Sequence, residues 1–454
     1  MTERLPTRLV FALIAAVVIA MRLVHSSVLW ADDNLPLAAA IQVFHGKALY
    51  RDVWYDKPPL VVWTYLLWAA RSGVALRLAG AMYVIGVSVA AWQIARKQWS
   101  EREGLYAAIF GAFFLTFALP SAVIPLASDM LLILPHLVAI YFAWRGRPLW
   151  SGAAAGVGLL YSSKAVFVLA ACALWQWRSL PMLVLGFAMP NAIALAWMWA
   201  QGSLGEFYTQ VWQWGSIYAA NTFVENPVVE GLKRTAGWIG FQAALVIGMI
   251  LAVRRDWRYL AWIGIALVGV ILGLRFFPRY YFLLVPPAIV LGARGWASLN
   301  KPVLLAVLLA IPLLRFAPGY VTLPERDLVM DRDSRAAAAE LSARAVSRET
   351  LFVWGFRPDI FIDSGLPAGT RFLESQPISG VLADRHLFSA RPVTADFLEE
   401  NRAELIRSRP TWVVDGLGPF NDSLALAKQE SLAAWFAQYR EVARTRFSIL
   451  YRLR

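Results

Sequence analysis

Apolar runs of helix length recur from Leu9 to Leu314 and then cease. A helix that crosses a bilayer needs about 20 mostly apolar residues, within a range of about 17–25. Leu9–Leu29 meets that length. It is too long for the apolar part of a signal peptide and lacks a small-residue cleavage site, so it reads as a retained first helix. Further runs follow at Leu76–Ala95, Leu105–Leu119, Leu126–Trp144, Gly152–Trp177, Met182–Ala200, Trp238–Val253, Leu260–Leu274, Tyr281–Leu291 and Val303–Leu314. From about Thr322 charges become dense and apolar stretches shorten to strand length. The pattern predicts an α-helical polytopic membrane domain over 1–318 and a small α/β soluble domain over 319–454. In the second domain, helices are expected at Arg335–Val346, within Thr394–Ser408 and at Leu432–Tyr439. Strands are expected at Leu351–Trp354, Trp412–Val414 and Phe447–Tyr451.

Short loops rich in Lys and Arg mark the cytoplasmic side of a membrane protein. Here they are Arg96-Lys97 with Arg102, Arg145 with Arg147, Arg254-Arg255 with Arg258, and Arg294 with Lys301. Arg4 and Arg8 put the N-terminus on the same side. The first helix then exits outward, and segment 30–75 is an outer loop. Its apolar stretch Leu60–Ala70 is too short to cross and is expected to lie in the interface. Arg147 and Arg178 both fall on the cytoplasmic side, yet the run between them is about one helix long. One crossing would reverse every later loop. A hairpin turning near Tyr161–Lys164 resolves this; the alternative is a single long tilted helix with Lys164 buried inside it. With the hairpin the count is about eleven helices, and the C-terminal domain lies outside.

Composition agrees with this picture. Of 454 residues, 59% are hydrophobic and 16% charged, against about 45–50% and about 25% in an ordinary soluble domain. The formal net charge of +13 fits cytoplasmic loops and lipid headgroups. No basic, aromatic-interleaved soluble module is present, so nucleic acid is excluded as a partner. The single cysteine, Cys172, rules out an intrachain disulfide and a cysteine-built metal cluster.

The chemistry concentrates in the outer loop. Asp32 and Asp33 stand where the first helix leaves the bilayer. Paired carboxylates there are costly unless solvated or employed; capping a following helix, Leu35–His45, is the plainer use. The loop continues through Gly46, Tyr50-Arg51-Asp52 and Asp56-Lys57-Pro58-Pro59-Leu60. Lys57 precedes a Pro-Pro that opens a helix, where free N–H groups and a lysine can hold a phosphate. Its plainer role is that of a lysine snorkelling to the interface.

These residues resemble the C-type (GT-C) membrane glycosyltransferases, the group of dolichyl-phosphate-mannose protein mannosyltransferases and the lipid A aminoarabinose transferase. The likeness rests on Asp32-Asp33, Ala38–Ala40, Gly46 with Tyr50-Arg51-Asp52, and Asp56-Lys57-Pro58-Pro59-Leu60. Weaker pieces are Leu76-Arg77-Leu78, Ser128-Asp129, Gly152–Lys164, and Phe276–Tyr281 with Pro286-Pro287. The second acidic residue is Asp33 where relatives carry Glu. The resemblance implies an inverting transfer of a sugar from a polyprenyl-phosphate donor to a hydroxyl of a lipid, protein or glycan acceptor. It implies an active site on the extracytoplasmic face of the cell inner membrane. Asp32, or else Asp33, would be the catalytic base. Lys57, Arg77, Lys164, Arg275 and Arg279 are the expected outer-face cations, and of these Lys57 and Arg279, with Arg77 and Lys164, are expected at the donor phosphate. Asp56, Tyr50, Asp129 and Tyr280 are expected at the substrate.

No cofactor is expected. His25 and His45 lie near the outer loop, but nothing else in the pattern supports a divalent metal. Asp331-Arg332-Asp333 has the letters of an Asp-x-Asp metal clasp and is expected in a linker. Ser203–Thr235, with Trp212, Trp214, Tyr218, Asn221, Glu225 and Glu230, reads first as an interfacial amphipathic helix and second as a sugar lid. Two rival functions remain. A lipid or solute transporter would show inverted repeats or paired broken helices, and neither is visible. A non-catalytic envelope-assembly protein would tolerate mutation of the outer charges.

Overall fold

The structure, a computed structural model, describes residues 6–254, 256–323 and 325–454. Arg4 and Arg255, two of the cations that set sidedness, lie outside the described residues. Among the described residues four helical stretches are, by length and composition, long and apolar enough to cross a membrane: Val74–Gln98, Ala165–Ala200 (which turns back at Trp177–Ser179, leaving Leu180–Ala200 as its long arm), Pro278–Leu299 and Pro302–Val321. A fifth arises if the pair Pro227–Phe241 and Ala243–Val253, bent by 90°, counts as one span. The remaining apolar runs form shorter helices, among them Thr7–Leu23, Glu101–Phe114, Ser128–Trp144, Pro148–Leu159 and Trp257–Ile271.

The run 152–177 is a helical hairpin. Pro148–Leu159 ends in a turn over 160–164, and Ala165–Gln176 returns. A three-residue turn, Trp177–Ser179, then reverses the chain again into Leu180–Ala200. The packing shows the second reversal: Gly152 abuts Leu183, and Gly156 abuts Pro190, so Leu180–Ala200 runs parallel to Pro148–Leu159. Small residues allow such close backbone approach inside a helical bundle. The same device joins Ala243–Val253 to Val285–Leu299, where a Cβ on Gly248 would meet Gly292 Cα at 2.7 Å.

The C-terminal part carries a four-stranded sheet: β1 Leu351–Trp354, β2 Trp412–Asp415, β3 Tyr439–Arg444 and β4 Ile449–Leu453. The order is β1-β2-β4-β3, with β1 and β2 parallel and the other pairs antiparallel. β1 and β2 are buried on both faces, which explains the apolar sequence of β1 and of β2 up to Asp415. Expected strands therefore sit at or near their places, with three corrections. Leu432–Tyr439 holds only the one-turn helix Ala433–Phe436, because Tyr439 already opens β3 against β4. The first helix starts earlier, spanning Glu325–Arg344. Asp331 and Asp333 are consequently helical rather than in a linker, and Asp333 accepts from Arg357 Nη1 at 2.9 Å and from Ser448 and Thr445 at 2.7 Å.

This part docks on segment 30–75 through hydrogen bonds. Trp54 N–H donates to the Arg371 carbonyl at 2.7 Å, and Ala368 N–H to Gln42 Oε1 at 3.2 Å.

Candidate active site

The helix Ala31–Phe44 opens with the acidic pair in its first turn, where negative charge suits the helix dipole. Successive positions on a helix point about a quarter-turn apart, so the two carboxylates part company. Asp33 is fully buried. It accepts from Arg77 Nη1 at 2.8 Å, from Tyr65 OH at 3.1 Å and from Leu126 N–H at 3.1 Å. Arg77, also buried, spends its other terminal nitrogen on the Val28 carbonyl at 2.6 Å. Neither residue reaches an open surface. Asp32 instead remains partly exposed and forms an ion pair with Arg279.

Asp32 and Arg279 line a cavity of about 290 Å³. Asp56, Lys57, Asp129 and Tyr280 share it. Two further cations are held by carboxylates: Lys57, in the cavity wall, by Asp56 at 2.9 Å, and Lys164, behind the wall, by the lining Asp129 at 3.0 Å. Lys164 also sits over the Tyr280 ring, 3.4 Å from its centre, a cation–π contact. Burial works against the Lys57 ammonium, but Asp56 outweighs it and holds the pKa above the usual lysine value. For Lys164 burial prevails over Asp129, and the pKa lies below that value.

The outer loop positions Lys57 from behind. Tyr50 adopts a left-handed backbone conformation with φ of 72°, and its buried hydroxyl donates to the Lys57 carbonyl at 2.9 Å. Gln210 clamps the same loop, donating to the Tyr50 carbonyl and accepting from Tyr55 N–H, both at 2.8 Å. Tyr50 therefore supports the cavity without lining it. The helix after Pro58-Pro59 is short, Leu60–Leu66, and its Leu60 N–H is taken by the Leu160 carbonyl at 3.0 Å.

Arg275 also leaves the cavity. It is buried, ion-paired with Asp384 of the C-terminal part, and donates to the Tyr218 carbonyl at 2.6 Å. Of the outer aromatic stretch, Tyr218 reaches the cavity wall, whereas Trp214 is buried in the cluster beneath the sheet. The C-terminal part adds Phe356, Gln376, Ala383 and Asp384 to the wall. Sequence reading missed these four: they lie more than three hundred residues beyond Asp32, and no spacing or motif marks them. Among the described residues no group of three metal-ligating side chains is present. His25 Nε2 pairs with the Gly319 carbonyl at 2.9 Å, and His136 Nε2 accepts from Trp262 Nε1 at 2.9 Å.

No protein-family model matches the chain, and no curated protein matches its sequence. The fold does match solved structures, and it is the fold of C-type membrane glycosyltransferases. ArnT from Cupriavidus metallidurans bound to undecaprenyl phosphate superposes over 98% of this chain and 97% of that one, with 16% identity and a TM-score of 0.64. Its apo state gives 17% identity, the same coverage and a TM-score of 0.61. Arabinofuranosyltransferase AftD from Mycobacteria matches all of this chain and 42% of its own length, with 14% identity and a TM-score of 0.55. At these identities the likeness is one of fold, and it is the fold that the sequence motifs led us to expect.

Proposed function

We propose that the protein is an inverting glycosyltransferase of the inner membrane. It moves a sugar from a polyprenyl-phosphate donor to a hydroxyl of a lipid, protein or glycan acceptor on the extracytoplasmic face. The observation that carries this reading is the meeting of Asp32, Lys57 and Arg279 in one cavity at the outer loop. The fold neighbours support it, one of them holding undecaprenyl phosphate.

In the proposed step Arg279 and Lys57 bind the donor phosphate. Arginine forks two oxygens and lysine supplies a point charge. The phosphate draws Arg279 off Asp32, which frees the carboxylate. Asp32 then takes the proton of the acceptor hydroxyl as that oxygen attacks the anomeric carbon. The bond from carbon to phosphate oxygen breaks, polyprenyl phosphate leaves with the electron pair, and the configuration inverts. Stabilising charge on the departing phosphate is the largest contribution. Lys164, Asp129, Asp56 and Tyr280 orient the sugar and its phosphate. Asp33 takes no part in proton transfer, since its oxygens are occupied by Arg77, Tyr65 and Leu126. The step uses the chain's own carboxylate and cations and needs no cofactor.

The test compares envelope lipids and glycans, by mass spectrometry, from cells carrying wild-type and Asp32→Asn protein. The expected result is accumulation of a polyprenyl-phosphate sugar together with loss of one decoration. Unchanged glycans with altered distribution of an intact lipid would instead identify a transporter.

A further inference from the structure

A second recess lies across the helix Leu60–Leu66 from the charged cavity. Val61 faces the cavity, while Leu60, Trp63 and Leu66 face a groove of about 850 Å³. The opposite wall is the helix Leu180–Ala200, through Ile193 and Trp197. These two side chains are 71% and 55% exposed, bare apolar surface on the protein alone. Polar groups gather at one end only, at Lys47, Arg51 and Gln201.

The two cations there differ. Arg51 is neutralised by Asp52, which it grips through two nitrogens at 2.9 and 2.8 Å, and it donates to the Gln201 carbonyl at 2.9 Å. Lys47 is partly buried and donates only to the Ala368 carbonyl at 2.7 Å. Among the described residues no carboxylate comes within ion-pair reach of it. Burial lowers its pKa, and Asp52 offsets only part of that. A partly desolvated cation whose nearest carboxylate, Asp52, stays beyond contact and is itself gripped by Arg51 is costly. Here it stands at the single polar end of a long apolar trough.

We propose that the groove binds an anionic phospholipid of the surrounding bilayer, one with a net negative headgroup. An acyl chain lies between Trp63, Ile193 and Trp197, and the phosphate rests on Lys47. Charge complementarity selects this occupant: an apolar chain alone would fill the trough and leave Lys47 unpaired. The site is separate from the donor cavity and requires only that these helices lie in a membrane, so it stands or falls independently of the transferase reading.

The test uses the full chain, delipidated in non-ionic detergent and offered equal amounts of phosphatidylglycerol and phosphatidylcholine. Retained lipid is counted by native mass spectrometry. One phosphatidylglycerol per chain is expected, preferred about ten-fold or more, as a charge-assisted contact implies. Lys47→Gln should abolish the preference. Ile193→Trp, which fills the trough from its exposed wall and leaves the buried core untouched, should remove retention of both lipids. Lys57→Gln, in the charged cavity, should change neither. Equal retention of the two lipids by the wild type overturns the proposal. So does a preference that survives Lys47→Gln and disappears in Lys57→Gln, which would move the lipid to the donor cavity.

Discussion

Two charged regions stand back to back across the first turn of the helix Ala31–Phe44. On one side Asp33 and Arg77 are sealed from solvent, paired with each other and hydrogen-bonded to Tyr65, Leu126 and Val28. Arg22 extends this region, buried and donating to the Val123 and Ile124 carbonyls at 2.6 Å each. On the other side Asp32 and Arg279 face an open cavity together with Lys57 and Asp56. The residue types are the same; the access differs. A sealed pair whose partners are all fixed holds helices in place. A pair at a cavity wall can exchange its partner for a ligand's charge. The comparison teaches that adjacent identical carboxylates acquire separate roles from which way the helix turns them.

The largest expected effect breaks the sealed side. Arg77→Met leaves Asp33 buried and unpaired, and should cost about 3–5 kcal/mol of stability, read as a collapse of the thermal midpoint in detergent. On the open side Asp32→Asn should melt with the wild type yet lose about 10²–10⁴-fold in turnover, measured with a labelled polyprenyl-phosphate sugar. Reversed behaviour of these two variants would invert the assignment. Arg279→Gln should come next, weakening donor use by about 1.5–3 kcal/mol, the worth of a hydrogen bond to a charged group. It appears in kcat/KM, with an unchanged melting point.

The smallest effect sharpens the boundary between the two regions. Glu374 is buried close to the cavity, accepts from Gln376 N–H at 2.6 Å, and among the described residues has no cation paired with it. Burial, with Asp56 nearby, pushes its carboxyl up to about 8. The folded state therefore holds a proton that the unfolded chain releases at ordinary carboxylate pKa. Stability is greatest at low pH and is lost as pH rises through the window from about 4.5 to about 8. Glu374→Gln should remove this slope and raise stability at pH 8 by about 1–2 kcal/mol, less than the full shift at about 1.4 kcal/mol per unit because a buried site relaxes. Melting curves at pH 5 and pH 8 measure it; equal curves for wild type and variant at both would refute it.

Much of this was legible along the chain. The apolar runs, β1 and most of β2 follow from length and periodicity, and the hairpin turning over 160–164 from the charge parity of Arg147 and Arg178. Lys57, Asp56 and the acidic pair stood out because polar residues crowd one short segment between apolar helices. Less legible were Arg77, expected at the phosphate, and Arg275, expected only as an outer-face cation; both are found in buried pairs. A cation's sequence neighbours say how near the interface it lies, not which carboxylate another helix brings to it. Tyr50 misled for the same reason: its hydroxyl serves the Lys57 carbonyl.

By itself the sequence determined the membrane character, the helical class, the α/β end and the segment where charged residues crowd. These depend on local composition and period, which a run of residues carries within itself. Only the tertiary structure decided that Asp32 faces a cavity while Asp33 faces the core, and that Phe356, Gln376 and Asp384 complete the wall. Those facts depend on helix rotation and on contacts between residues hundreds of positions apart, which packing fixes and local pattern does not encode.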